Sequence, residues 1–220
     1  MRFPISTTRV LASRRLNDNA FELYLERAPG FHFSPGQRLR VHWGAHEREY
    51  SIASSPADEH LMLCVRRVSG GTVSPLMAAL SPGEPVQVSG PYGHFRYQSR
   101  EHRAVFVATG TGIAPFRAMI ADGCGAGESL VLHGIRSAKD LFYRELFLTG
   151  AGCYRACLSG ADAPGGADIF QGRVTDYVAH HLAPGRYDFY LCGRQDMIRD
   201  VILIVDDQFS AARIFTEAFY

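Results

Sequence analysis

The residues Thr109-Gly110-Thr111-Gly112-Ile113-Ala114-Pro115-Phe116 combine the side chains and the backbone freedom needed to hold an anion. Gly110 and Gly112 allow a sharp bend and a close approach of backbone to ligand, and Pro115 at a helix start gives up an N–H that has no intrahelical partner anyway. Free N–H groups and the positive end of the helix dipole then face a negative charge, most naturally the pyrophosphate of a dinucleotide. The stretch departs from the common G-x-G-x-x-G pattern, because Pro115 stands at the third glycine position. A Gly-rich turn before a helix is also often only a turn. Other residues must decide.

Three further stretches carry chemistry. Arg48-Glu49-Tyr50-Ser51-Ile52-Ala53-Ser54-Ser55 places a guanidinium and a phenol two residues apart, on one face of a strand, so that both can meet one ligand. Gly70-Gly71-Thr72-Val73-Ser74 joins glycines and hydroxyls at the start of a short helix, a second anion site. Cys192-Gly193 lies at a strand end, where parallel-sheet proteins bind ligands. Each also fits a plainer role when taken singly: an exposed strand face, a helix N-cap by Thr72, a core cysteine.

The elements that position these residues fall into two kinds. Residues 1–99 read as antiparallel β: Arg9 to Ala12, Phe21 to Leu25 and Arg38 to His42 alternate apolar and polar residues, and turns such as Asn17-Asp18-Asn19, Ser34-Pro35-Gly36 and Ser81-Pro82-Gly83 separate the runs. Short strands with such turns predict a small barrel, interrupted by one helix from Val73 through Leu80. Residues 100–220 alternate strands (104–109, 129–134, 154–159, 187–192, 212–217) with helices (115–122, 139–148, 173–182, 195–205). That rhythm predicts a mainly parallel sheet covered on both faces. The charged stretch Gln98-Ser99-Arg100-Glu101-His102 is the expected linker.

Composition excludes several classes. The 220 residues are 46% apolar and 20% charged with a formal net charge of +1, so neither a nucleic-acid binder nor an acidic tail is indicated. Lys139 is the only lysine, and the other basic residues are all Arg. Met1-Arg2-Phe3-Pro4-Ile5 lacks the apolar run of a signal peptide, and Val201 to Val205 is too short to span a bilayer, so a cytoplasmic protein without a membrane span is expected. The five cysteines form no C-x-x-C pair and the nine histidines no ligand pattern, so no metal is expected.

Taken together, these stretches resemble the ferredoxin-NADP reductase family over nearly the whole chain. Arg48-x-Tyr50-Ser51 is similar to its R-x-Y-S flavin motif, Gly71-Thr72-Val73-Ser74 to its G-x-x-S phosphate motif, and Gly90-Pro91-Tyr92-Gly93-His94-Phe95 to the close of its barrel. Thr109 to Phe116 resembles its nicotinamide-dinucleotide loop, Cys192 to Met197 its C-G-x-x-x-M motif, and Glu217-Ala218-Phe219 its terminal E-x-aromatic. The resemblance implies an antiparallel β-barrel FAD-binding domain (1–99) followed by a Rossmann-like α/β NAD(P)-binding domain (100–220).

It also implies roles. Tyr50 stacks on the flavin, Ser51 bonds near its hydride-accepting nitrogen, Arg48 pairs with the FAD pyrophosphate, Ser54 and Ser55 contact the riboflavin part, and Gly71, Thr72 and Ser74 hold phosphates. Thr109, Gly110, Thr111, Gly112 and Pro115 cradle NAD(P), assisted by Gly193 and Met197. Cys192, as a neutral thiol, orients the nicotinamide, and Glu217 handles protons near the flavin. Phe219 covers the second flavin face and Tyr220 reaches the adenine, unless both only fill an interface. Many NADPH-using members carry Ser-Arg where this chain has Ser159-Gly160; Arg136 and Arg173 stand at other phosphate-binding positions and are the candidates to replace that Arg. The activity implied is hydride uptake from NADP or NAD in reduced form and release of single electrons to a separate ferredoxin or other small redox protein. The rivals are a reductase serving an oxygenase, cytochrome or free flavin, and a nonenzymatic flavin electron-transfer subunit. The oligomeric state is open, and a monomer is compatible with the sequence.

Overall fold

The computed structural model describes residues 3–98, 101–161 and 165–219. Met1, Arg2, the Ser99-Arg100 centre of the expected linker, and Tyr220 lie outside them. The chain packs as two compact units, one of Met1–Arg96 with Ala114–Asp122 and one of Tyr97–Ile113 with Gly123–Tyr220.

The first unit is an antiparallel sheet of β1 (Ser6–Asn17), β2 (Ala20–Glu26), β3 (Arg38–Trp43), β4 (His46–Ser51), β5 (His60–Arg66) and β6 (Pro85–Tyr92), in the order β4-β3-β6-β1-β2-β5. An isolated bridge between Ile52 and Leu63 joins the two ends of that order, which is the closure a barrel needs. Leu23, Leu25, Leu39, Val41, Ile52, Leu63 and Met77 fill its interior. Met77 comes from the only helix between the strands, α1 (Ser74–Ala78), shorter than the expected Val73 to Leu80. Gly44, at φ 59, makes the two-residue turn that sets β3 against β4 with Trp43 opposite His46.

Helix α2 (Ala114–Ala121) belongs to this unit. Its Arg117 donates to the Ala53 carbonyl at 2.5 Å, Asp122 just after it accepts from the Ser55 hydroxyl at 3.3 Å, and Phe116 meets Phe95 with ring centroids 5.9 Å apart. Gly36 has no room for a side chain, since a Cβ there would overlap the Phe95 carbonyl and come within 2.7 Å of the Met119 methyl. The compact units therefore divide differently from the expected cut at 99/100, because these contacts gather Ala114–Asp122 onto the barrel.

The second unit is a parallel sheet of β7 (Arg103–Thr109), β8 (Leu130–Ile135), β9 (Cys153–Leu158), β10 (Ile169–Gln171), β11 (Tyr187–Arg194) and β12 (Arg213–Phe219), in the order β10-β9-β8-β7-β11-β12. Central β7 is buried continuously from Ala104 to Ala108, as a strand covered on both faces must be. The other helices are α3 (Arg144–Gly150), α4 (Val174–His181) and α5 (Gln195–Gln208). Helix α5 turns Met197, Ile198, Val201 and Val205 into the core at helical spacing. At the N-terminal sheet edge, buried Asp188 accepts two bonds from Arg213, at 2.8 and 2.7 Å, and one contact from His102 at 3.1 Å, which fixes β11 against β12.

Two elements differ from expectation. The helix expected over 139–148 is broken: Ser137 and Asp140 cap a short 3-10 turn over Ala138–Asp140, and Tyr143 at φ 58 restarts the chain into α3. Strand β10 was not expected, since three residues give no periodicity to read; pairing with β9 defines it.

Candidate functional site

In the barrel unit, Tyr50 lies opposite Leu39 and Arg48 opposite Val41, so both point to the face that those core residues occupy. Tyr50 packs against the core from a half-buried position, and burial pushes its phenol up to about 12 against the pull of Arg48. The ring is a neutral wall at any working pH. Arg48 is exposed and donates to the Glu47 carbonyl at 2.8 Å. Among the described residues it meets no carboxylate, whereas Arg40, on the other face of the hairpin, pairs with Glu47 and Glu49, and Arg38 with Glu49. An uncommitted guanidinium beside a flat half-buried ring suits a ligand that is anionic at one end and planar at the other.

Ser51 is buried at the end of β4. The Ser54 hydroxyl accepts from the Met62 N–H at 3.1 Å, and the Ser55 hydroxyl accepts from the Ala57 N–H at 3.1 Å while donating to Asp122 at 3.3 Å. The structure thus gives these two serines a turn-shaping role that their sequence did not reveal. Thr72 does not cap α1, whose N-cap is Val73 without a side-chain bond. The Ser74 hydroxyl accepts from the Val68 N–H at 3.0 Å, which orients it beside Gly71 while leaving its own proton to donate.

In the sheet unit, register collects the expected residues at the C-terminal end of the central strands. Cys192 on β11 lies between Ala108 on β7 and Glu217 on β12, and all three are buried. Gly193 pairs with Ala218, and Arg194 with Phe219. Thr109 ends β7, and its hydroxyl accepts from the Arg194 N–H at 3.0 Å. Gly193, at φ 135, has Thr109 where a Cβ would be. A Cβ on Gly112 would stand 2.5 Å from the Cys192 carbonyl oxygen. The loop continues as a 3-10 turn over Gly110–Ile113, and the first N–H groups of such a turn have no intrahelical partner. Pro115 is buried on α2, and Met197 is buried in the sheet core, with its backbone N–H donating to Asp196 Oδ1 at 2.9 Å.

Arg136 follows β8 and Arg173 follows β10, both exposed; their backbone N–H groups donate to Asp140 at 3.4 Å and to Asp176 at 2.8 Å, whereas neither guanidinium forms an ion pair among the described residues. Ser159 donates to the Ile135 carbonyl at 3.2 Å. A Cβ on Gly160 would overlap the Arg136 carbonyl oxygen, so the backbone itself excludes an arginine there.

Sequence reasoning missed His133. It stands in the apolar run Leu130-Val131-Leu132, is 0% exposed, and lies 3.0 Å from the Gly110 carbonyl through Nε2. A polar ring inside an otherwise apolar buried strand was the available signal. Burial lowers it to about 4, against the pull of the Gly110 carbonyl and Asp140. Its folded value lies below its unfolded one, so its contribution to stability is complete above about pH 6.5 and is lost as pH falls towards 4. Urea melts at stepped pH are expected to show a loss of roughly 3 kcal/mol across that window. The loss should vanish in His133→Gln; an unchanged pH slope in that variant would refute the assignment.

Comparison with known proteins follows this geometry. Residues 9–97 match the oxidoreductase FAD-binding domain family and residues 106–202 the oxidoreductase NAD-binding domain family. The chain is 38% identical to ferredoxin-NADP reductase B of Sorangium cellulosum over 148 residues, 62% of this chain and 61% of the relative. It is 30% identical to the toluate 1,2-dioxygenase electron transfer component of Pseudomonas putida, over 86% of this chain and 59% of the relative. The matches thus span about three fifths of those relatives' length. A crystal structure of a ferredoxin NADP+ reductase from Neisseria gonorrhoeae with bound FAD and NADP superposes with a TM-score of 0.82 at 17% identity, covering 98% of this chain and 99% of that one. No helix among the described residues is long and apolar enough to cross a membrane.

Proposed function

Since the chain belongs to the ferredoxin-NADP reductase family, we propose that it is an FAD-dependent oxidoreductase that takes a hydride from NAD(P)H and passes electrons one at a time to a separate ferredoxin. The observation that carries this reading is the register that lines up Ala108, Cys192 and Glu217 where the Gly110 to Gly112 loop begins. It offers a phosphate cradle, a small neutral side chain and a buried carboxyl at one strand end.

FAD, when bound, supplies the conversion of a hydride into single electrons. The chain's own residues bind and orient. Tyr50 provides a stacking wall, Arg48 a phosphate clamp, and Ser74 with Gly71 and Thr72 a second phosphate contact. Thr109 to Gly112 hold the nicotinamide coenzyme by its pyrophosphate, Cys192 orients the nicotinamide ring, and Glu217 handles protons near the flavin. The likeness to a dioxygenase electron transfer component over most of the chain favours an oxygenase partner as the second reading. The proposed location is the cytoplasm.

The test is the visible spectrum. A yellow protein with FAD bound noncovalently, bleached anaerobically by NADPH or NADH and reoxidised by a ferredoxin, is the expected result. Protein that cannot be reconstituted with FAD, or whose flavin neither coenzyme reduces, would overturn it.

Coenzyme choice is expected to favour NADPH by a modest factor, because Arg136 and Arg173 supply uncommitted charge at the ends of β8 and β10. The double substitution Arg136→Ala, Arg173→Ala should raise KM for NADPH about tenfold, the worth of one charge-assisted contact, and leave NADH unchanged. Equal losses with both coenzymes would show that the arginines serve the loop and not the 2′-phosphate.

A further inference from the structure

The carbonyl of Gly110 needs something to hold it. Gly110 is in the left-handed region at φ 52 and opens the 3-10 turn Gly110–Ile113, and nothing beyond its chain neighbours and its own turn lies within 4 Å of the space where its Cβ would be. In a trans peptide the C=O and N–H point in opposite directions. The Thr111 N–H of this peptide, which attracts a bound phosphate, therefore points away from the side on which the Gly110 oxygen, which repels it, is held.

One side chain holds that oxygen. His133 stands on β8 beside Ala108 of β7, with Nε2 3.0 Å from the Gly110 oxygen and Nδ1 3.4 Å from the Tyr154 hydroxyl. A carbonyl only accepts, so the proton of the neutral ring sits on Nε2, and Nδ1 is left to accept from Tyr154. Tyr154 is buried and stacked on Phe147 at 5.6 Å with an interplanar angle of 9°, and Phe142 lies 6.3 Å from the imidazole. The ring is thus wedged in place, and its N–H draws the Gly110 oxygen inward.

We propose that His133 is a positioning residue that locks the Gly110–Thr111 peptide with its N–H turned toward the coenzyme pyrophosphate. This rests on the reading of Thr109 to Gly112 as the coenzyme loop. The donor is reproduced by glutamine, whose amide nitrogen reaches about as far as Nε2, and removed by phenylalanine, which keeps the ring.

Steady-state kinetics of the FAD-loaded full chain test it. His133→Phe should raise KM for NAD(P)H about tenfold or more, the worth of a hydrogen bond to a charged group, with kcat changed less than about twofold and FAD content unchanged. His133→Gln should return KM to within about threefold of the wild type. An unchanged KM in His133→Phe, or equal damage in both variants, would overturn the proposal and leave a packing role. If His133→Phe does not fold, ¹⁵N-histidine spectra of the wild type decide instead. The resonance missing from His133→Gln should show a neutral ring with its proton on Nε2, perturbed by NADP+. An Nδ1–H tautomer or no perturbation would overturn it. Failure of the wild type to be reduced by either coenzyme would overturn the loop reading itself, a result distinct from any difference between variants.

Discussion

Gly112→Ala is expected to leave a yellow protein that NAD(P)H can scarcely reduce. The added Cβ would stand 2.5 Å from the Cys192 oxygen and 2.8 Å from the Gly193 Cα. Both are backbone atoms at the end of β11, so the clash cannot be relieved by a rotamer change; loop and strand must part. Overpacking of this kind costs about 1–3 kcal/mol, and a displacement of about 1 Å at a reacting geometry costs about 100-fold in rate. The rate of anaerobic bleaching by NAD(P)H should fall about 100-fold or more. Dithionite should still bleach the flavin, because Arg48, Tyr50 and Ser74 are untouched. Gly123→Ala, outside the loop, is the internal control: its Cβ enters open space, and only the positive φ resists it, by about 1–2 kcal/mol. A wild-type bleaching rate in Gly112→Ala would remove the loop from the coenzyme site.

Tyr50→Ala should weaken FAD binding by about 1–3 kcal/mol, or about 5- to 150-fold, because it removes an aromatic wall that already packs on Leu39 and the barrel core. Tyr50→Phe keeps the wall and should retain FAD within about threefold, since the ring and not the hydroxyl supplies the contact area. Equilibrium dialysis of FAD against the three proteins measures this. Equal retention by Tyr50→Ala and the wild type would mean that the ring only covers the barrel.

The sequence was most informative where periodicity or ordered motifs were long. The alternation of Phe21 to Leu25 and the apolar run before Thr109 both became strands at the expected places, and the register of β11 against β12 made Cys192 and Glu217 neighbours. What stayed hidden was commitment: which side chains are already in use. Arg38 and Arg40 read like Arg48 in sequence, yet their charge is taken up by Glu47 and Glu49. Ser54 and Ser55 read as ligand hydroxyls, and only the fold shows that each also accepts a backbone N–H and that Ser55 donates to Asp122. His133 hid for the opposite reason, because its partner is a carbonyl, and carbonyls leave no trace in a sequence. Gly160 is similar: only the fold shows that the Arg136 oxygen occupies the space a side chain would need.

The grouping of α2 with the barrel bears on how such chains can be inherited in pieces. Arg117, Met119 and Asp122 come after residue 99, but the atoms they serve, the Ala53 carbonyl, the bare face of Gly36 and the Ser55 hydroxyl, come before it. A recombination at 99/100 would bring in a barrel without the helix matched to it, leaving a buried acceptor orphaned and a glycine-lined gap filled by whatever residue the foreign helix carries at position 119. Halves cut at 99/100 can be exchanged freely only among chains that agree at these few positions.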